Sequence, residues 1–222
     1  MGAYMAKPDR PNGSTLVVLQ EIFGLNANIR SITDDFAALG FLAIAPDLFW
    51  RQQPGVRLDP ASDPDRERAT ALMKGLDVDQ AVDDAGAALR FAQSLQDGEG
   101  MAQALGYCLG GKLAYLMAAR GLVEKAVSYY GVGIQGVLDE AASIRGQVLL
   151  HVAQDDHLCP PSAQQTIAMA LAPLKDRARV VFYPGVGHAF ARGGSPSYNQ
   201  DAAARADRAT LGFLGARPGD AP

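Results

Sequence analysis

The sequence is poor in cysteine, in excess charge and in long apolar runs, and each shortage excludes a class of protein. Two cysteines in 222 residues cannot build a disulfide framework, and free thiols suit a reducing compartment. A formal net charge of -4 creates no positive field that would attract nucleic acid. No apolar run approaches the roughly 20 residues that span a bilayer, and the first residues lack the apolar core of a signal peptide. We therefore expect a cytoplasmic protein with neither nucleic-acid nor membrane partners.

Short apolar runs alternate with helix-like segments along the chain. Continuous runs of strand length are typical of a parallel sheet covered on both faces, and they occupy 14–20, 41–49, 101–107, 124–131, 146–153 and 178–185. Helix-like segments occupy 26–40, 77–95, 110–121, 161–174 and 201–215, with another entered near Pro64 after a loop over 51–67. The pattern predicts one α/β domain over residues 1–222, with a mostly parallel, doubly wound sheet flanked by helices and a disordered tail from about residue 216.

Cys108 lies between two glycines where a predicted strand meets a predicted helix. The run Gly106-Tyr107-Cys108-Leu109-Gly110 matches the nucleophile elbow of α/β hydrolases, which reads glycine, any residue, nucleophile, any residue, glycine. The turn is tight, so small residues are needed where strand and helix approach each other, and the following helix N-terminus favours a thiolate. A buried structural cysteine in a tight turn would fit the same residues, so the rest of the chain must decide.

An acid and a histidine follow later predicted strands in the order that α/β hydrolases use. Asp155 and Asp156 come just after the strand at 146–153, and His188 comes after the last predicted strand. A thiol with a pKa of about 8.5 needs a general base at neutral pH, and a carboxylate fixes the tautomer and orientation of the imidazole. The chain order therefore favours an α/β-hydrolase fold with a cysteine nucleophile.

The remaining histidines and the second cysteine have simpler interpretations. His151 lies inside a predicted strand and is expected to be a core residue. His157 follows the acidic pair and would only brace it. Cys159 is expected to behave as a small hydrophobic residue.

Six stretches of the sequence, in this order, resemble the dienelactone hydrolase (carboxymethylenebutenolidase) family of α/β hydrolases: QEIFGLNANIR, APDLFWRQQPG, GYCLGGKLAYL, AVSYYGVG, DDHLCP and GHAFARGGSPSY. The stretches lie between residues 20 and 198, and the resemblance covers the chain from about residue 15 to 215. The resemblance implies a hydrolase of aromatic degradation that opens a small carboxylate-bearing enol-lactone through a cysteine acyl-enzyme, converting dienelactone to maleylacetate. It implies no cofactor and no metal. We expect a monomer whose partner is a small-molecule substrate with a carboxylate.

The resemblance also implies catalytic roles for particular residues. It selects Asp156 over Asp155, because the family's acid is followed directly by histidine, and completes a triad with Cys108 and His188. Glu21 matches the glutamate that holds the resting thiol protonated and takes its proton when substrate arrives.

Binding roles follow from the same resemblance. The oxyanion hole would be formed by the backbone N–H groups of Ile22 and Leu109, as expected for this fold. Arg66 and Arg192 match the two arginines that bind the substrate carboxylate. A guanidinium can do so through two parallel hydrogen bonds.

Two features depart from the family pattern. Thr70 stands one helical turn beyond Arg66 where the family has tyrosine, which predicts a wider pocket. The chain also begins later than the family pattern leads us to expect, so we expect no first edge strand.

Three alternatives to a lactonase remain at this point. The same scaffold could hydrolyse another small ester or thioester. A non-catalytic binding module that keeps the elbow is less favoured. A redox thiol protein is disfavoured as well, because Cys108 has no resolving cysteine at a recognisable spacing.

Overall fold

The apolar runs form one mixed sheet in a computed structural model that describes residues 1–96 and 100–216. The strands lie in the order β1-β3-β2-β4-β5-β6-β7, and neighbouring strands are parallel except for β1 and β3. Their bounds are β1 Ala3–Ala6, β2 Thr15–Leu19, β3 Leu42–Pro46, β4 Ala102–Tyr107, β5 Lys125–Tyr129, β6 Gln147–Ala153 and β7 Ala178–Tyr183. The predicted mostly parallel sheet is confirmed.

The predicted helices cover the two faces of this sheet. Their bounds are α1 Ala27–Ala38, α2 Asp63–Lys74, α3 Val78–Gln93, α4 Leu109–Ala119, α5 Pro161–Leu171 and α6 Gln200–Leu214, with short 3₁₀ turns at Ile134–Gly136, Leu138–Ser143 and Ala172–Arg177. Helix α2 begins beside Pro64 as predicted, because proline suits a first helical turn and the Ser62 side chain caps the Asp65 N–H. No helix within the two described ranges is long and apolar enough to cross a membrane.

Strand β1 occupies the edge of the sheet beside β3, where the apolar pattern predicted no strand. That the first edge strand of the family is missing stays a prediction. Ala3 pairs with Pro46 and Ala6 with Ala43 in antiparallel register. The strand has only four residues, which are exposed or half-buried, and the Tyr4 hydroxyl donates to Asp34 at 2.8 Å. An antiparallel edge strand with a solvated face carries no continuous apolar run, which is why the sequence pattern did not reveal it.

The predicted tail lies outside the described residues except at its first position. Ala216 is buried, and its N–H donates to the Leu211 carbonyl at 3.0 Å. Helix α6 ends before Gly215, whose φ of 85° is a conformation that glycine adopts without steric cost. The ordered chain thus extends at least one residue into the segment we predicted as tail.

Alternate residues of the inner strands belong to two hydrophobic cores, one on each face of the sheet. Val17 and Leu19 of β2 lie in the core that includes α3 and α4. Leu16 and Val18 lie in the core that includes α1 and α6. Burial on both faces explains why the sequence shows continuous rather than alternating apolar runs.

The strands that follow β2 and β4 in the chain lie on opposite sides of this parallel pair in the sheet. β2 leads through α1 to β3 on one side, and β4 leads through α4 to β5 on the other. Beyond the first residues of the two loops the chain therefore diverges and leaves a crevice at the carboxyl ends of the strands, where open α/β sheets bind ligands. Glu21 lies in the loop after β2, and Cys108 directly follows β4.

His151 is a fully buried polar residue of β6, as predicted. Its Nδ1 lies 2.9 Å from the Tyr183 hydroxyl, and its Nε2 lies 2.9 Å from Thr210 Oγ1. Burial, with a smaller contribution from the charge of Arg179, lowers the pKa of His151 to about 3. The imidazole is therefore a neutral hydrogen-bonding link between β6, β7 and α6.

We expect His151→Gln to reduce the loss of stability in acid. Folded His151 takes up a proton only near pH 3, whereas its ordinary pKa is 6.5. Between about pH 6.5 and pH 3, His151 binds a proton in the unfolded chain but not in the folded one. The contribution of the buried neutral His151 to the free energy of unfolding is therefore present above about pH 6.5 and is lost as the pH falls. Urea unfolding should show the wild type losing about 2 to 3 kcal/mol more than the variant between about pH 7 and about pH 4.5. Equal losses would contradict the buried neutral state.

Candidate active site

Cys108 occupies a strained turn between β4 and α4. Its φ of 55° and ψ of -115° lie where residues other than glycine are rarely found. The Cys108 N–H donates to the Tyr129 carbonyl at 3.0 Å, and the Cys108 carbonyl accepts from the Val132 N–H at 3.2 Å. These bonds hold the thiol at the N-terminus of α4 despite the backbone strain.

The two glycines of the turn allow close backbone approaches that a side chain would block. A Cβ at Gly106 would overlap the Gly110 carbonyl, and a Cβ at Gly110 would overlap the Leu19 carbonyl at the end of β2. The Gly110 N–H donates to the Gln20 carbonyl at 3.0 Å. The first turn of α4 is therefore bonded directly to the loop that carries Glu21.

His188 is bonded to Asp156 on one side and lies beside Cys108 on the other. Its Nδ1 is 2.7 Å from Asp156 Oδ2, and Asp156 Oδ1 accepts from the Leu158 N–H at 2.8 Å. Burial lowers the pKa of His188, but the hydrogen bond to Asp156 and the neighbouring Cys108 side chain raise it to a net value of about 10. Asp156 is 3% exposed, whereas Asp155 is exposed. Asp156 is thus the aspartate that contacts the histidine.

Glu21 and Arg192 form a buried ion pair near these groups. Arg192 Nη1 lies 2.8 Å from Glu21 Oε2, and the two side chains are 14% and 3% exposed. The guanidinium carbon lies 5.4 Å from the centre of the Phe23 ring. Glu21 Oε1 is buried and has no hydrogen-bond partner among the described residues. A buried acceptor without a partner costs free energy, so this oxygen can accept a hydrogen bond from an incoming donor.

Tyr130 is a residue of this site to which the sequence analysis gave no role. Its ring packs edge-on against His188, with 5.1 Å between centroids, and its hydroxyl is buried without a partner among the described residues. Burial raises the pKa of Tyr130 well above its ordinary value, and the charge of Glu21 adds to the effect. Its position directly after β5 was the available signal, but its unusual φ of 40° is visible only in the structure.

The N–H groups of Ile22 and Leu109 lie on the two segments that the Gly110–Gln20 bond holds together. Leu109 is the first residue of α4, where N–H groups lack intrahelical acceptors. Neither N–H donates to a backbone carbonyl within the described parts of the chain. The arrangement is compatible with the predicted oxyanion hole, whose donors must be free to meet a developing negative charge.

Arg66 is not among the described residues of the cleft that Arg192 borders. Arg192 borders a cleft of about 460 Å³ together with described residues from 26–28, 57–61 and 193–194. Arg66 lies on the exposed side of α2, where its guanidinium pairs with Asp63 and donates to the Pro60 carbonyl at 2.8 Å. Thr70 donates to the Arg66 carbonyl at 2.8 Å. The roles predicted for Arg66 and Thr70 remain predictions.

His157 and Cys159 flank Asp156. His157 is exposed, and its ring centroid lies 6.4 Å from that of His188. Burial raises the pKa of Cys159 to about 11, with the charge of Asp156 adding to the shift. Cys159 therefore stays a thiol at neutral pH, in line with the small hydrophobic residue we predicted. In residues 1–96 and 100–216, no group of three or more His, Cys, Asp or Glu side chains could hold a metal ion.

The fold is that of an α/β hydrolase, and the strained turn of Cys108 lies at the crevice of the sheet. The chain belongs to the dienelactone hydrolase family, whose model matches residues 1–217. It is 38% identical over 215 residues to a carboxymethylenebutenolidase of Pseudomonas putida, with 96% of this chain and 90% of that protein covered. It is 35% identical over 213 residues to carboxymethylenebutenolidase 1 of Cupriavidus pinatubonensis, with 96% and 90% covered.

A solved structure shows the same relationship. The structure of a candidate dienelactone hydrolase from Klebsiella pneumoniae subsp. pneumoniae has a TM-score of 0.83 and 28% sequence identity, and the match covers 97% of this chain and 92% of that one. The predicted α/β-hydrolase fold and the predicted family are therefore confirmed. The protein is a hydrolase of the carboxymethylenebutenolidase family.

We expect Asp156→Asn to lower the pKa of His188 from about 10 toward its ordinary value of 6.5. The substitution removes the carboxylate that stabilises the imidazolium, while burial continues to favour the neutral ring. NMR titration of the imidazole measures the change. Asp155→Asn is the matched control, because it removes the neighbouring exposed carboxylate and should leave His188 unchanged. The same pKa in both variants would contradict the Asp156–His188 ion pair.

Proposed function

We propose that this chain opens a small enol-lactone that carries a carboxylate, as in the hydrolysis of dienelactone to maleylacetate, with Cys108 as the nucleophile. The observation that carries the proposal is the position of the thiol at the start of α4 beside His188, which is itself bonded to Asp156. A nucleophile, a base and a group that orients the base are the components of covalent acyl transfer. The names of the two carboxymethylenebutenolidases above support the same reaction class.

Glu21 is proposed to control the proton of Cys108. In the free enzyme one oxygen of Glu21 is held by Arg192, and the other is buried without a partner among the described residues. A substrate carboxylate competes with Glu21 for the Arg192 guanidinium. Once Arg192 binds substrate, Glu21 is free to accept the thiol proton, and the resulting thiolate is stabilised at the N-terminus of α4.

The reaction then proceeds in two steps. The thiolate attacks the lactone carbonyl carbon, and the N–H groups of Ile22 and Leu109 stabilise the negative charge on the carbonyl oxygen. The ring C–O bond breaks, and the enolate leaves with little acid assistance. The enolate takes up the proton of His188, and the neutral ring then accepts a proton from a water molecule as that water attacks the thioester. The C–S bond breaks, which releases the acid and the Cys108 sulfur. A peptide amine is a much poorer leaving group, so we expect no protease activity.

Hydrolysis of another small ester or thioester is a second candidate that uses the same residues. Arg66 is paired with Asp63 outside the cleft that Arg192 borders, and this observation favours the alternative. Arg66 must leave Asp63 before it can join Arg192 on a substrate carboxylate. A substrate that needs both arginines would therefore bind less well than the family pattern implies.

We expect Cys108→Ala to abolish hydrolysis while the fold stays intact, because the substitution removes the nucleophile and little volume. With 4-nitrophenyl hydrogen glutarate, whose carboxylate can displace Glu21 from Arg192, the wild type should release a burst of 4-nitrophenol stoichiometric with enzyme, and the variant should release none. His188→Ala should lose most of kcat, whereas His151→Gln should keep it. Wild-type turnover in Cys108→Ala would overturn the proposed mechanism.

We expect Arg192→Gln to weaken hydrolysis of esters that carry a carboxylate. A hydrogen bond to a charged group contributes about 1.5 to 3 kcal/mol, so kcat/KM should fall roughly tenfold to a hundredfold for 4-nitrophenyl hydrogen glutarate. The methyl ester of the same compound should lose little. Glutamine can still donate a hydrogen bond to Glu21, which limits structural damage. Equal losses on both esters would show that Arg192 is structural and would leave a thiol esterase of unknown substrate.

A further inference from the structure

Arg57 is held against the loop that carries Glu21 and Ile22. It forms an antiparallel bridge with Gly24, and the flanking bonds join the Leu25 N–H to the Val56 carbonyl at 3.0 Å and the Leu58 N–H to the Phe23 carbonyl at 2.9 Å. Paired Cα atoms in such a bridge lie about 5 Å apart. The backbone of Arg57 is thus fixed beside Gly24, which follows the proposed oxyanion donor Ile22 by two residues.

Gly24 makes this pairing possible. Its φ of 72° is readily available to glycine, and a Cβ there would overlap the Val56 carbonyl. The segment that bears Arg57 can therefore lie directly against the loop after β2. Its position is set by backbone contact, independently of any side-chain pairing.

The neighbours of Arg57 determine the direction of its side chain. Val56 and Leu58 are 3% and 6% exposed and belong to the core, whereas Arg57 is exposed. Successive side chains of an extended segment point to opposite sides. Arg57 therefore points away from the core, and it borders the same cleft of about 460 Å³ as Arg192.

The charged groups around this cleft favour an anion. Its described lining includes two guanidinium groups, from Arg57 and Arg192, and one carboxylate, from Asp59. Asp59 Oδ1 already accepts from the Ala61 N–H at 2.9 Å. Within the described parts of the chain the Arg57 guanidinium makes neither an ion pair nor a hydrogen bond, whereas Arg66 is paired with Asp63. Arg57 can thus bind an incoming carboxylate without breaking an existing contact.

We propose that Arg57 is a specificity-determining residue that binds the substrate carboxylate from the cleft it shares with Arg192. The substrate class is esters and lactones of small acids that carry a second, free carboxylate. Arg192 connects this cleft to Glu21, so we expect a substrate whose carboxylate is held between the two arginines to extend from the cleft toward the proposed reaction centre. The inference rests on the proposed function, because it assigns substrate recognition to the same site.

The test compares Arg57→Ala with Arg145→Ala on 4-nitrophenyl hydrogen glutarate and on its methyl ester. Arg145 is an exposed arginine just before β6, at the end of the parallel strands opposite the site, so its removal is a control for lost charge. Arg57→Ala should lower kcat/KM for the anionic ester about twofold to fivefold, mainly through KM, and should leave the methyl ester unchanged. Arg57→Lys, which keeps the charge, should restore most of the preference, and Arg145→Ala should alter neither ester.

Several results would overturn the inference. If Arg57→Ala loses the same share of activity on both esters, or keeps the preference for the anionic ester, Arg57 has no role in recognition. The proposed function would still stand in that case, provided that turnover of the methyl ester depends on Cys108. A preference that is lost in Arg66→Ala and kept in Arg57→Ala would assign recognition to α2 instead. If the wild type hydrolyses neither ester in a Cys108-dependent way, the proposed function fails, and this inference fails with it. Thermal unfolding of each variant verifies that the fold is retained.

Discussion

The backbone contact between the start of α4 and the end of β2 determines the geometry of the whole site. Gly110 has no side chain to keep the two segments apart, and its N–H bonds the Gln20 carbonyl. Since β2 and β4 are neighbours in the sheet, this contact brings the loop bearing Glu21 against the turn bearing Cys108. A larger residue at position 110 would move α4 away from β2 and separate Cys108 from the loop with which it is proposed to act.

The site combines several features that are unfavourable for stability. Cys108 and Tyr130 both have positive φ, and strained backbone of this kind is usually found at functional sites, where the surrounding structure enforces it. Glu21 and Arg192 are buried charges, whose desolvation offsets much of their mutual attraction. Polar atoms of Glu21 and Tyr130 are buried without partners in the described chain. Two extensive cores on the faces of the sheet supply the stability that tolerates this arrangement.

Most of the fold could be predicted from the sequence, because strands buried on both faces leave continuous apolar runs with the helices between them. Strand β1 could not, since four residues of an edge strand carry no such pattern. The tight turn around Cys108 and the chain order of Asp156 and His188 could also be predicted, because the α/β-hydrolase fold places its site residues directly after strands. The local pattern did not separate Asp155 from Asp156, and the family resemblance did.

Residues positioned by long-range contacts were missed. Arg57 reaches the cleft because it pairs with Gly24, and no local pattern reports a contact between segments so far apart in the chain. Arg66 shows the opposite situation. Asp63 lies three residues before Arg66 on the same helix, a spacing at which opposite charges commonly pair. The ion pair between Arg66 and Asp63 on the surface of α2 could therefore have been predicted from the sequence.

The Glu21–Arg192 pair gives the free enzyme a built-in competitor for its own anion-binding group. A carboxylate tethered next to a guanidinium acts at an effective concentration that, for a short tether, reaches the millimolar range or above. Simple anions from solution must displace Glu21 before they can bind Arg192, and they make no further contact that would compensate for the lost ion pair. In the proposed reaction, a lactone that brings its carboxylate together with a reactive carbonyl gains further contacts as it displaces Glu21. We therefore expect the resting site to select ligands by the number of contacts they make at once, so that free inorganic and organic anions bind it poorly.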